Sequence, residues 1–118
     1  MTRAIEYNLS LEVETLKNNI IADYEKWQTA SGKPRTEVQI KMLHEFIDKL
    51  RIEVGNKYIK VITGSSVWGF IVNTDKDNKF RRGDLLLAAG WKTPARNKAR
   101  GNILDGGYTI RWTGPLYL

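Results

Sequence analysis

Between Gly90 and Asn102 the chain reads Gly90-Trp91-Lys92-Thr93-Pro94-Ala95-Arg96-Asn97-Lys98-Ala99-Arg100-Gly101-Asn102, four cations, one tryptophan and two asparagines with no carboxylate among them. That inventory suits an anion that also carries a flat ring. Lys92, Arg96, Lys98 and Arg100 offer positive charge to phosphate oxygens, Trp91 offers a face for stacking, and Asn97 and Asn102 can read a base edge or a ribose. Ala95, Ala99 and Gly101 keep bulk low beside the guanidinium groups, so backbone and side chain can both approach a ligand. A basic run that only keeps the protein soluble is the competing reading, and solubility does not require small residues at these places. Phe80, directly before Arg81-Arg82, is a second stacking candidate, and Arg111 a further cation. Aromatic residues on a small sheet are usually core, and Trp91, between Gly90 and Lys92, is the best placed of them to face a ligand.

Catalysis finds little support. His44 is the one histidine and stands beside Leu43 in a helical stretch with no serine or cysteine nucleophile motif near it, which reads as a surface or partly packed side chain. Asp75-Lys76-Asp77-Asn78 has the opening of a calcium loop but lacks the glycine and closing glutamate that such a loop needs, so a solvated hairpin tip is expected. The chain has no cysteine, phosphate-loop motif, dinucleotide fingerprint or His-Glu metal helix. The expectation is a binding protein with no catalytic residue, metal or cofactor.

Charge supports an anionic partner. The 118 residues carry a net charge of +6, with a pI near 9.7. The excess lies downstream, where Lys57, Lys60, Lys76, Lys79, Arg81, Arg82, Lys92, Arg96, Lys98, Arg100 and Arg111 face only Asp75, Asp77, Asp84 and Asp105. The length predicts one domain spanning 1–118. The longest apolar run, Leu85 to Ala89, is far short of the ~20 residues of a membrane span, and no targeting segment is visible at the start. Absence of cysteine fits a reducing cytoplasm.

The elements that must position the loop follow from periodicity. Residues 1–55 read as a strand plus two helices. Arg3 to Asn8 alternates as an edge strand would, and Ser10 can cap a helix with Val13, Leu16, Ile20, Tyr24 and Trp27 on one face. Gly32 and Pro34 stop it. Thr36-Glu37-Val38-Gln39 is a capping box, opening a helix with Ile40, Leu43, Ile47, Leu50 and Val54 in register, Met42 and Phe46 on a neighbouring flank, and Gly55 at its end. From 56 onward the period changes to two. Tyr58 to Thr63 and Val67 to Asn73 read as a hairpin around Gly64-Ser65-Ser66, Leu85 to Leu87 as a buried strand or helical turn, and Tyr108 to Trp112 as a last strand. The predicted fold class is α+β: a short first strand, two antiparallel or crossing helices, and a mostly antiparallel sheet of about five strands carrying the basic loop. The second helix has more apolar flank than a small domain can bury, which predicts a homo-oligomer formed through the helices.

Several stretches together carry a family resemblance: Ser66-Val67-Trp68-Gly69-Phe70, Phe80-Arg81-Arg82-Gly83-Asp84-Leu85-Leu86, Gly90 to Asn97, Ala99-Arg100-Gly101-Asn102 and Trp112-Thr113-Gly114-Pro115-Leu116-Tyr117-Leu118. The chain resembles the first family of phage Thoeris anti-defence proteins, signal sponges that block a bacterial immune pathway. The likeness covers the C-terminal half by motif and the whole chain by layout. It implies sequestration, without cleavage, of glycocyclic ADP-ribose in the host cytoplasm, with cyclic oligonucleotides as a further ligand class. It also implies a multimer built on dimers, up to a hexamer, with pockets between protomers. The site residues named above rest on the chemistry of this chain and not on the resemblance. The alternative is a small nucleic-acid-binding protein that sets the same loop against a phosphodiester backbone. A virion or host-interaction protein with no small ligand is the third.

Overall fold

The computed structural model describes residues 9–115, so the strand expected at Arg3 to Asn8 lies outside the described residues. The fold is α+β. Helix α1 spans Ser10–Gln28 and helix α2 Glu37–Lys49, followed by strands β1 Leu50–Val54, β2 Tyr58–Thr63, β3 Ser66–Val72, β4 Leu85–Leu86, β5 Ile110–Arg111 and β6 Gly114–Pro115. The first four strands form an antiparallel sheet in the order β1-β2-β3-β4, and β5 and β6 pair as a separate ribbon. Among the described residues the sheet has four strands with a two-strand ribbon beside it, in keeping with the mostly antiparallel sheet of about five strands expected.

Helix α1 buries Val13, Leu16, Ile20 and Tyr24, spaced to line one stripe. Its cap residue is Leu9 and Ser10 is its first helical residue, one position later than the capping role expected of Ser10. Trp27 ends the stripe at 53% exposure. The capping box of α2 forms as read: Gln39 N donates to Thr36 Oγ1 at 3.1 Å and Thr36 N donates to Gln39 Oε1 at 3.0 Å. The helix ends at Lys49, five residues before the expected stop, because Leu50 to Val54 pairs with β2 instead. An apolar-polar alternation at Leu50-Arg51-Ile52-Glu53-Val54 competes there with helical spacing, and pairing with β2 decides for the strand. Only Leu43 of α2 is fully buried, while Val38, Ile40, Met42 and Ile47 are exposed.

Two apolar layers sandwich the sheet. On the helix side, Leu16 and Ile20 pack with Ile59, Val61, Trp68, Ile71 and Leu85. On the other side Phe70, Val72, Phe80 and Leu86 form a second cluster, flanked by Tyr58, Val67, Ala88 and Ala99. The register slips between Val61 and Ile62, which pair with Gly69 and Val67, and the extra residue is Trp68. This bulge turns Trp68 into the helix-side core and returns Val67 to the opposite face. Indole Nε1 of Trp68 donates to Arg111 O at 2.8 Å, tying the ribbon to the sheet. Tyr24 and Phe46 stack at 4.2 Å between centroids, with Trp112 edge-on to Tyr24 at 5.0 Å, so both helices and the ribbon share one aromatic joint.

Candidate functional site

The basic loop is not a single surface. Its first part is a tight hairpin in which Ala89 N and Gly90 N both donate to Thr93 O, at 2.8 and 3.0 Å, and Ala95 N donates to Leu87 O at 2.7 Å. Trp91 and Lys92 are therefore held at a tip, Trp91 with 45% of its surface exposed. The last part is stitched to β4: Arg100 N donates to Leu85 O and Leu85 N donates to Gly101 O, at 2.7 and 2.8 Å. That ladder turns Arg100 and Asn102 inward, leaving them 1% and 5% exposed.

Four of the expected ligand residues serve the fold. Arg96 makes a two-pronged ion pair with Asp77, Nη1 and Nη2 each 2.9 Å from a carboxylate oxygen, and Nη1 also donates to the Tyr58 hydroxyl at 2.6 Å. Asp77 further accepts from the backbone N–H groups of Lys79 and Phe80, at 2.8 and 2.9 Å. The Arg96 guanidinium, with those two N–H groups, holds the Asp77 carboxyl well below the usual carboxylate range, and Asp77 in turn raises Arg96 above the usual guanidinium value. Asp77 is thus an inward anchor, with its side chain 5% exposed, and not part of a solvated tip. Phe80 is buried in the second cluster with the Arg96 guanidinium 4.9 Å from its ring centre, so it is core and no stacking platform. Arg100 Nε donates to Lys98 O at 3.2 Å from a fully buried position. Asn102 Nδ2 donates to Arg82 O and to an Asp84 carboxylate oxygen, both at 2.9 Å, and its Oδ1 accepts from Leu104 N at 2.8 Å. Each of its polar atoms is occupied by the protein.

Asn97 and Lys98 are exposed beyond Arg96, and Lys79 Nζ donates to the carbonyls of Arg96 and Asn97 at 2.7 and 3.2 Å. Arg111 lines a different cleft of about 440 Å³, between Lys26, Trp27 and Trp112. The structure brings together Trp91 and Lys92 with residues that sequence reasoning missed. Lys60 Nζ lies 4.0 Å from the Trp91 ring centre, a cation–π contact. Beside it, Lys57, Tyr58, Lys60, Phe70 and Lys92 line a cleft of about 340 Å³ that also touches Glu53 and Val54 of β1. Three ammonium groups thus face one carboxylate, next to a half-exposed indole. The signal for Lys60 was present in Tyr58-Ile59-Lys60-Val61, where alternation puts Tyr58 and Lys60 on the face opposite the helix-side core.

His44 is exposed on α2, as expected. Among the described residues no group of three or more His, Cys, Asp or Glu converges as a metal site, and no helix is long and apolar enough to cross a membrane. No family model, curated protein or solved structure matches the chain.

Proposed function

We propose that the protein binds, without cleaving, a small nucleotide-type anion at the Trp91 cleft, and that the ligand is a cyclic ADP-ribose-type immune signal which it sequesters. The observation that carries the reading is the half-exposed Trp91 ring with Lys60 over it and Lys57 and Lys92 beside it. A base can stack on a ring and linked phosphates need convergent ammonium groups, and here the Trp91 ring, in contact with Lys60, borders the cleft that Lys57, Lys60 and Lys92 line. The apolar flanks left open on α2 support a homo-oligomer as the working form.

Calorimetry with glycocyclic ADP-ribose, followed by recovery of the nucleotide after heat denaturation, tests the reading. Intact nucleotide released from a tight complex is the expected result, and altered nucleotide would make the protein an enzyme. Trp91→Ala is expected to weaken binding about tenfold or more by removing a stacking face while leaving the melting temperature unchanged. Arg96→Ala is expected to do the reverse, lowering the melting temperature because Asp77 loses its partner. No heat with the nucleotide, or wild-type affinity in Trp91→Ala, would sink the assignment.

A further inference from the structure

Strand β1 lies at the margin of the sheet, hydrogen-bonded to β2 on one side, and among the described residues no strand pairs with its other side. Which backbone groups face outward follows from its ladder. Gly55 N donates to Tyr58 O and Gly64 N donates to Lys49 O, so the alternation of an antiparallel pair turns Arg51 and Glu53 toward β2. The N–H and C=O groups of Ile52 and Val54 and the C=O of Leu50 therefore point away from the sheet, while Leu50 N–H donates back to Phe46 O and Ile47 O at the end of α2. An edge so presented is a template for another strand. Val54 at its end is 73% exposed, and the helix that feeds it leaves Ile40 and Ile47 open at 43% and 40%.

The sequence of this edge is complementary to itself. A two-fold axis through Ile52 sets Ile52 against Ile52, Leu50 against Val54, and Arg51 against Glu53 twice over. In that register the outward-facing residues form the hydrogen-bonded pairs, giving about four new backbone bonds, since Leu50 N–H is already bonded within α2. Arg51 and Glu53 fall at the non-hydrogen-bonded positions, where opposed side chains lie closest and opposite charges stabilise most. Both project on the sheet face opposite the helices, Glu53 being in register with Lys60. Arg51 Nη1 donates to Gly64 O at 3.1 Å, and a guanidinium has donors left for a second acceptor. A shift of register by two residues would lose both ion pairs.

We infer that the occupant of the β1 edge is a second copy of this chain, paired antiparallel about Ile52 so that Arg51 of each copy meets Glu53 of the other and one sheet runs through both. This names the surface for the self-association proposed above and does not depend on the ligand. The pairing lies beside the Trp91 cleft, because Glu53 and Val54 belong to both. Arg51 of the second copy then neutralises the one carboxylate of that cleft.

Charge exchange tests the register. By sedimentation velocity over a range of concentrations, the wild type is expected to associate, while Arg51→Glu and Glu53→Arg each set like charges opposite one another and raise the dimer dissociation constant about tenfold or more. Mixing the two single variants is expected to restore association, since each now opposes the other's charge. The double variant, Arg51→Glu with Glu53→Arg, is expected to associate alone as the wild type does. Circular dichroism on each variant checks that the fold is intact. A wild type that stays monomeric would overturn both this inference and the self-association reading. A dimer whose constant is unmoved by either single variant, or is lost only when Ile40 and Ile47 are made polar, would overturn the β1 pairing alone.

Discussion

At the residue scale, the basic loop divides by what each side chain faces. Arg96, Arg100 and Asn102 look like ligand residues when the loop is read by itself, because their partners lie elsewhere: Asp77 and Tyr58 for Arg96, Asp84 and Arg82 for Asn102, and the β4 ladder for the turn that buries Arg100. Absence of carboxylates from the loop was legible, but the carboxylate that crosses to it from the preceding turn was not. Trp91 and Lys92 were legible, since glycine and a charge at a hairpin tip leave little to bury them. The Asp77 anchor makes a pH prediction. Its folded-state pKa is depressed, chiefly by the Arg96 hydrogen bonds and then by the Phe80 and Lys79 N–H groups. A depressed carboxylate stabilises above its unfolded value of about 3.9, and that contribution is lost as pH falls toward the folded value. Asp77→Asn is therefore expected to lower stability at neutral pH by an amount that stays constant down to about pH 4 and shrinks below it. Urea denaturation of both proteins along a pH series reads this directly, and a difference that grows on acidification would contradict the anchor role.

At the element scale, the helices and the central hairpin follow from local signals, and the misread elements are those where two periods fit one short run. Thr36 and Gln39 stand three apart ahead of an apolar stripe, a start signal that needs no tertiary context, and both bonds of the box form. Thr36→Ala is expected to cost about 1 kcal/mol, the usual loss of a side-chain cap, with no effect on ligand affinity because α2 contributes nothing to the Trp91 cleft. Chemical denaturation checks the first half and calorimetry the second. Leu50 to Val54 satisfies helical spacing with Leu43 and Ile47 and strand alternation within itself, and only the partner strand β2 chooses between them. The bulge at Trp68 is equally silent in sequence, since an inserted residue shows only when two strands are laid side by side. Gly83 belongs to the same class of hidden constraint: at φ +92° it holds a left-handed turn, and a Cβ there would come within 2.8 Å of Asn102 Oδ1.

At the scale of the whole molecule, the question is how a net charge of +6 is spent, because a diffuse positive field and a pocket respond differently to salt. Part of the downstream positive charge is paired in place. Arg82 pairs with Asp75, Arg81 with Asp105 and Arg96 with Asp77, so three of the four downstream carboxylates are matched to arginines, while Lys57, Lys60 and Lys92 gather at the Trp91 cleft. The cleft is thus a local cluster of three lysines, while Lys76, Lys79, Lys98 and Arg111 lie elsewhere on the molecule. Binding of a two-phosphate ligand there is expected to weaken only gently with salt, with a slope of log affinity against log salt no steeper than about −2, because few counterions are released. A single strand engaged through six or more phosphates would give a slope of about −4 or steeper. Titrations of glycocyclic ADP-ribose and of single-stranded DNA across one salt series separate the two. A steep slope with DNA together with no nucleotide binding would move the function to nucleic acid, and the lysine cluster around Trp91 would then be one stop on a longer basic path.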